Sequence, residues 1–298
     1  TFLAVSSPVL IAPAMNTNMW KNAATQHNVA VLRGRGCHFI GPASGRLACG
    51  DDDVGRMSEP AEIAQAIAGL LTAADTASPR DLTGRRVLVT AGPTREPIDP
   101  VRYLTNHSSG KMGYAIARAA ARRGADAVLV SGPTSLTPPA GVEFVPIETT
   151  EQLRQAVVSR APSCDAVIQA AAPSDFRPFE ALDRKIKRTG GELALRLIPN
   201  PDIAAQLGRE KRAGQVLVAF AAETDDLIAN ARKKLAAKNA DLVVANDVTQ
   251  PGAGFGVDTN RVTLVSAAGE RALPLMDKAA VADAILDEVA ALLSRAPR

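Results

Sequence analysis

Five short apolar runs constrain the fold of this chain more than any other feature. Arg86-Val-Leu-Val-Thr90 does not alternate polar and apolar residues, so it reads as a strand buried on both faces. Ala127–Val130, Ala166–Ala170, Val216–Ala221 and Leu242–Ala245 read the same way. Between them lie helix-forming stretches, Gly110–Arg123 with Gly124 as its stop, Glu151–Arg160 and Thr224–Asn239. Strands that alternate with helices in this order give an α/β protein with a parallel sheet, joined by right-handed crossovers. The chain then predicts a hairpin, Val262–Val265 and Ala272–Leu275 with a turn at Ala268-Gly269, and a closing amphipathic helix over Lys278–Leu293.

The 298 residues suffice for one large or two small domains. Aromatic residues are only 3 %, so a core drawn from 46 % hydrophobic residues is built of Ala, Val, Leu and Ile. A net charge of +3 suits phosphorylated small molecules. It is too weak for nucleic acid, and the aromatics needed for base stacking are scarce. Cys37, Cys49 and Cys164 form no CxxC, which argues against a disulfide framework or zinc site and for a reducing, cytoplasmic setting. No run of about 18 apolar residues is present, so no membrane span is expected. The sequence opens inside an apolar segment with no initiator Met, which reads as a chain cut in mid-domain.

Residues 1–73 predict a strand at Pro8–Ala12, a helix at Asn18–Gly34, a glycine-rich loop at Gly41–Gly55 and a second helix after Ser58-Glu59-Pro60. Thr72–Leu82 has linker composition. The expected organisation is a unit at 1–73, a linker at 74–83 and a second unit at 84–298.

In an open parallel sheet, ligands bind beyond the carboxyl ends of the strands. The first such end here leads into a long loop, Ala91–Ser109, and long loops in compact domains usually carry function. It closes on Asn106-His107-Ser108-Ser109-Gly110-Lys111-Met112-Gly113. Free N–H groups at a helix start suit an anion, and ordinary capping of a helix by Ser explains the same residues. Neither GxGxxG nor GxxxxGK[ST] is matched.

Longer motifs carry a resemblance. The whole segment Thr90–Gly113, with Lys185-Ile186-Lys187, Asn200-Pro-Asp-Ile203, Phe220-Ala-Ala-Glu-Thr224 and Ala245-Asn-Asp247, closely resembles the phosphopantothenate–cysteine ligase family across residues 84–298. Pro13-Ala-Met-Asn16, Leu47-Ala-Cys-Gly50 and Gly55-Arg-Met57 resemble phosphopantothenoylcysteine decarboxylase across residues 1–73. Together they are similar to the bifunctional bacterial coenzyme A biosynthesis family. The resemblance implies a Rossmann-like ligase domain preceded by the C-terminal part of a flavodoxin-like flavoprotein domain.

It further implies that 4′-phosphopantothenate is activated with CTP, with Mg²⁺ or Mn²⁺, and coupled to L-cysteine through an acyl-cytidylate. By motif match, Gly92, Ser108, Gly110 and Gly113 cradle the triphosphate, and Asn106 sits at the reacting carboxylate. Gln169, Ala170, Ala171, Asp175, Lys185, Pro201, Asp202, Ile203, Ala204, Phe220, Lys234 and Lys238 line the nucleotide pocket. Lys234 and Lys238, four apart on a predicted helix, share one face, which fits a polyphosphate and equally a solvated surface. Lys185 reads as a mobile cation over the α-phosphate or as a solvated loop residue. Asp175 reads as a Mg²⁺ ligand or a turn residue. Asn106 also fits a turn, and Phe220 also fits the core. Pro173 departs from the family pattern. It has no N–H, so if the family's backbone N–H there touches the nucleotide base or substrate, that contact is lost and base selectivity changes with it.

In the first unit the resemblance makes Cys49 a proton donor on a glycine-rich lid and Asn16 a ligand of the substrate carboxylate. A loop thiol without function is the plainer reading of Cys49. Asp51–Asp53 are expected to raise its pKa. His27, His38 and His107 do not match the family's catalytic histidine. FMN and decarboxylation are therefore expected of the full-length parent and not of this chain. A homodimer through the ligase domain is expected, with a higher homo-oligomer in the parent. Two rivals remain open, a nicotinamide-dependent Rossmann oxidoreductase and a non-catalytic nucleotide-binding module.

Overall fold

A computed structural model describes residues 7–46, 52–76, 79–187, 190, 192–223, 225–247, 250, 252–254 and 256–295. Two units divide the chain, Thr1–Pro79 and Arg80–Arg298.

In the first unit, β1 (Leu10–Ile11) leads through α1 (Thr17–Lys21) and α2 (Ala23–Gly34) to β2 (His38–Phe39), which pairs with β1 in parallel. The one helix expected over Asn18–Gly34 is two. Asn22 takes an extended backbone, and its side chain caps α2 by accepting from Ala24 N–H at 2.9 Å. The stretch Gly41–Gly55, expected to be an open loop, contains an antiparallel ribbon, β3 (Ala43–Arg46) and β4 (Asp52–Arg56). Gly55 serves close approach there rather than mobility. A Cβ on it would lie 2.2 Å from the Met15 carbonyl, while Met15 N–H donates to the Gly55 carbonyl at 2.9 Å. α3 (Pro60–Thr76) runs past Thr72, where linker composition begins.

The second unit is built on β5 (Arg86–Ala91), β6 (Arg95–Pro97), β7 (Tyr103–Thr105), α4 (Lys111–Arg122), β8 (Asp126–Ser131), β9 (Glu143–Pro146) and α5 (Thr150–Arg160). It continues through β10 (Ala166–Gln169), β11 (Phe176–Pro178), β12 (Leu197–Pro199), α6 (Ile203–Glu210), β13 (Val216–Glu223) and α7 (Leu227–Ala237). β14 (Leu242–Asp247), β15 (Thr259–Asn260), β16 (Val262–Ser266), β17 (Gly269–Ala272), β18 (Met276–Asp277) and α8 (Lys278–Arg295) complete it. Six strands run parallel in the order β9-β8-β5-β10-β13-β14, and β16 and β17 extend the sheet in antiparallel fashion. From β5 the chain moves outward to β8 and β9. From β10 it moves the other way, to β13 and β14. The reversal falls between β5 and β10.

Alternate strand residues supply two cores. Val87 and Val89 join Val216 and Val218 in packing on Ile116 and Ala120 of α4 and on Val281, Ile285 and Val289 of α8. Leu88, Val167 and Leu217 face the other way, onto Leu153 and Val157 of α5 and onto Ile203 and Leu207 of α6. α7 packs beside them on Val243 and Val265. The sheet is thus covered on both faces, as its continuous apolar strands require. Chain entry is fixed upstream of Gly84. Leu82 is fully buried, and Arg123, only 2 % exposed, donates to both carboxylate oxygens of Asp81 and to Asp287.

Several expectations shift. The Ala91–Ser109 loop holds the β6–β7 ribbon, whose strands pair with each other and not with the sheet. α7 is shorter than Thr224–Asn239, because Asp226 and Asn239 adopt positive φ at its two ends, and Thr224 lies outside the described residues. The final hairpin turns two residues at Ala267-Ala268, with Ser266 opposite Gly269. Its return strand is Gly269–Ala272 rather than Ala272–Leu275, since Gly-Glu-Arg-Ala is exposed throughout and carries no apolar signal.

Candidate functional site

The strand ends place the site. A cleft of about 560 Å³ opens beyond the carboxyl ends of β10, β13 and β14, beside the N-terminus of α4. This is the chain reversal, where helices before and after it lie on opposite faces and leave a crevice. A smaller hollow of about 170 Å³ adjoins it, and the two share Ala171, Pro173, Asp175, Phe220 and Lys238.

Backbone and threonine contacts fix the floor. Ala171 N–H donates to Thr90 Oγ1 at 3.0 Å, Ala172 N–H to the Gly92 carbonyl at 2.9 Å and Ser174 N–H to Thr94 Oγ1 at 2.9 Å. Asn106 Nδ2 donates to the Pro173 carbonyl at 2.9 Å. Pro173 has no N–H, so residues 171–174 have none left to offer a ligand, and only carbonyls remain. A buried relay stands behind them. Glu96, 2 % exposed, accepts from Thr150 N–H at 2.9 Å and Thr150 Oγ1 at 2.7 Å, and Thr150 Oγ1 meets Thr94 Oγ1 at 2.9 Å.

α6 and the end of α7 form the far wall of the smaller hollow. Asp202 caps α6 by accepting from Ala205 N–H at 3.0 Å, and it pairs with Lys238 Nζ at 3.3 Å. Lys238 is the C-cap of α7, its N–H still donates to the Lys234 carbonyl at 3.0 Å, and both lysines line the larger cleft. Gly208 lets the two elements meet, for a Cβ there would lie 1.8 Å from the Lys238 carbonyl.

Among the described residues, four lysines line the larger cleft, Lys111, Lys234, Lys238 and Lys278, against one carboxylate, Asp175. Lys111 pairs with Asp258 at 2.7 Å, which holds that carboxyl below its usual range. Lys278 is buried, and its Nζ donates to the Gly254 and Val257 carbonyls. Burial, then repulsion from Lys111, pushes its pKa down, with Asp258 opposing. Two amides near the cleft carry unmet groups. Gln169 Nε2 and Asn246 Oδ1 are buried with no partner among the described residues. An orphaned buried polar atom asks for a ligand or a water.

Asn106, Ser108, Gly110, Gly113, Ala170, Ala171, Asp175, Phe220, Lys234 and Lys238 line the larger cleft. Gln169, Pro201, Asp202, Ile203 and Ala204 line the smaller hollow. Phe220 lines both while packing on the α4–α8 core, so its two readings coexist. Gly110, with φ of 76°, is the N-cap of α4 and receives no side-chain cap. Ser108 Oγ accepts from Gly110 N–H at 3.4 Å instead, and the plain capping reading does not hold. Gly92 is not a lining residue. Its carbonyl accepts from Ala172 N–H, and its backbone lies beside Gly110.

Lys185 is not a lining residue either. Its neighbour Ile186 is pinned elsewhere, donating its N–H to Asp99 Oδ2 at 3.1 Å and accepting from Arg102 Nη2 at 2.7 Å. Burial disfavours the charge on Asp99, but the N–H groups of Ile186 and Val101, with Arg102, hold its carboxyl far below the usual range. In the first unit, Asn16 caps α1 by accepting from Asn18 N–H at 2.8 Å. Cys49 and Asp51 lie outside the described residues. Asp53 is paired with Lys21 at 2.8 Å, which offsets one of the charges expected to act on that thiol. Sequence reading missed Lys111, Asn246, Asn260 and Lys278, although the Ala245-Asn-Asp247 motif pointed at the strand end that carries Asn246.

Comparison with known proteins matches the chain in two stretches. The family model described as DNA/pantothenate metabolism flavoprotein C-terminal domain matches residues 82–293, and the Flavoprotein model matches residues 1–72. The chain belongs to the DNA/pantothenate metabolism flavoprotein family. The coenzyme A biosynthesis bifunctional protein CoaBC of Bacillus subtilis is 50 % identical over 294 residues, 98 % of this chain and 71 % of that protein. The protein of that name from Escherichia coli K12 is 44 % identical over 290 residues, 96 % of this chain and 70 % of its own. A crystal structure of the C-terminal domain of a CoaBC protein superposes with a TM-score of 0.62 at 42 % identity, covering 72 % of this chain and 98 % of that one. The chain is an enzyme of coenzyme A biosynthesis, with an α/β fold and a mostly parallel central sheet.

Proposed function

We propose that the Arg80–Arg298 unit of this DNA/pantothenate metabolism flavoprotein is a Rossmann-like ligase domain. It joins 4′-phosphopantothenate to L-cysteine with CTP. The observation that carries this reading is the cleft at the chain reversal, where the N-terminus of α4, four lysines and Asp175 face one space with Asn106 at its edge. The strand order β9-β8-β5-β10-β13-β14 is that of a doubly wound dinucleotide fold. The absence of GxGxxG after β5 argues against a nicotinamide cofactor.

In this reading the phosphopantothenate carboxylate attacks the α-phosphorus of CTP, and pyrophosphate leaves with the bridging oxygen. The cysteine amine then attacks the acyl carbon, CMP departs, and the amine loses a proton. Residues of this chain bind and orient. The α4 N-terminus and the lysines take the phosphates, the smaller hollow takes the base and sugar, and Asn106 aligns the carboxylate through the Pro173 segment. Lys185 would reach the α-phosphate only after its segment moves from Asp99. No group of three or more metal-ligating side chains occurs among the described residues, which suits Mg²⁺ or Mn²⁺ carried in on phosphates and held by Asp175 alone. Bound there, the ion would neutralise phosphate charge.

We read Thr1–Pro79 as the C-terminal part of a flavodoxin-like domain that uses FMN to decarboxylate the ligase product in the full-length parent. No helix among the described residues is long and apolar enough to cross a membrane. We place the protein in the cytoplasm, as a homodimer through the ligase domain. Exposed Tyr103, Phe176, Phe179 and Leu197 on or beside the β6–β7 and β11–β12 ribbons support that pairing.

Pyrophosphate release with CTP, Mg²⁺ and phosphopantothenate tests the ligase reading. Release that depends on phosphopantothenate and drops about a hundredfold in Asn106→Ala is expected, the scale of losing one positioned polar group. Folded protein that binds CTP and releases nothing would leave a nucleotide-binding module.

A further inference from the structure

Lys278 is a buried cation that bonds to no carboxylate among the described residues. It opens α8 but lines the cleft with 7 % of its surface exposed. Among the described residues its ammonium meets carbonyl oxygens alone, those of Gly254 and Val257. The nearby acid, Asp258, is 88 % exposed and already paired with Lys111. Lys111 donates as well to the Gly256 carbonyl at 2.9 Å. Two cations therefore share one solvated carboxylate at this end of the cleft. A buried ammonium without a counter-ion is costly, and an anion between the two lysines removes that cost.

The facing wall is built for an anion too. The α4 ladder begins with Tyr114 N–H donating to the Gly110 carbonyl. The N–H groups of Lys111, Met112 and Gly113 precede it and sit at the positive end of a 12-residue helix. A separate observation marks the same end of the cleft as unfilled. Asn246 is 9 % exposed, its Nδ2 donates to the Ala253 carbonyl at 3.1 Å, and its Oδ1 has no partner among the described residues. A buried acceptor left open beside the lysines asks for a donor, which a water carried in with a phosphate group would supply. Lys238 also borders the smaller hollow, whereas Lys111 and Lys278 do not, so the cations fall into two groups along the site.

We propose that Lys278, with Lys111 beside it, forms the subsite for the two terminal phosphates of the nucleotide and holds the pyrophosphate they become. This rests on the nucleotide-ligase reading above. The two lysines exchange carbonyls and Asp258 for phosphate oxygens when the ligand enters, and regain them when pyrophosphate leaves.

The test is calorimetric titration of the whole chain with pyrophosphate, CTP and CMP, each with Mg²⁺. Lys278→Met should weaken pyrophosphate and CTP by about tenfold or more, the scale of a lost charge-assisted contact, and leave CMP within about twofold. Unchanged pyrophosphate affinity in a folded variant would overturn the proposal, and so would an equal loss of CMP. If Lys278→Met does not fold, Lys111→Met decides, since that side chain is 31 % exposed and tolerates truncation. The same selective loss supports the subsite, and no loss overturns it. The two readings fail separately. Selective loss in a chain that releases no pyrophosphate would keep the subsite and sink the ligase. Ligase turnover with unaltered pyrophosphate affinity in both variants would sink the subsite alone.

Discussion

Asp99 shows how one side chain can organise a functional loop from outside the cleft. Its side chain is fully buried and accepts from the N–H groups of Val101, Arg102 and Ile186 and from the Arg102 guanidinium. These contacts join the β6–β7 ribbon to the segment that carries Lys185. They favour the ionised form, so the folded-state pKa lies below the ordinary 3.8. The resulting stabilisation is complete above the unfolded value and is lost as pH falls through the folded one. Urea midpoints measured between pH 5 and pH 3 should therefore fall more steeply for the native protein than for Asp99→Asn, with divergence setting in near about pH 4. Parallel curves would show that Asp99 is not the group responsible. Pro173 acts at the same scale by subtraction. With the N–H groups of residues 171, 172 and 174 already bonded, a base stacked there meets carbonyl oxygens, which favour an exocyclic amine over a keto oxygen.

Among the elements, α6 matters most to the site, because the close approach of Gly208 to the end of α7 sets where Lys238 stands. Gly208→Ala puts a methyl into the Lys238 carbonyl and should cost about 1–3 kcal/mol of stability, as overpacking does. It should also weaken CTP binding, because Lys238 and its Asp202 partner move apart. Thermal unfolding beside a CTP titration checks both, and intact CTP affinity in a destabilised variant would remove Lys238 from the site. α6 was not read from the sequence, although Asp202 before Ile203-Ala-Ala-Gln was a usable cap signal. β5, β8, β10, β13 and β14 were legible because burial on both faces leaves continuous apolar runs. β6, β7, β11 and β12 were not, because three residues have no periodicity and their pairing depends on ribbons closing around them. The site divides the same way. Residues inside long motifs could be matched one by one. Lys278 lies outside every motif, and Lys111, though inside one, showed no role there, since it meets its partners 145 and 147 residues away and only the folded sheet brings them together.

At the level of the whole second unit, the sheet separates chemistry from anchorage. The cleft faces the N-terminal end of α4, and Arg123 caps the other end, about 18 Å away for 12 residues. Arg123→Met should lower stability by about 2–3 kcal/mol, since Asp81 and Asp287 lose their partner but keep solvent. CTP affinity should stay within about twofold, and a larger drop in a folded variant would mean that the base of α4 is coupled to its tip. The bond between Asp81 and Arg123 also determines how the unit meets mechanical load. Tension arriving along the chain from residues before Arg80 reaches the guanidinium and buried Leu82 before it reaches β5. It is passed to the last turn of α4 and, through Asp287, to the middle of α8. The strand ends that floor the cleft are thereby shielded, as a clamp on a cable shields the instrument it feeds.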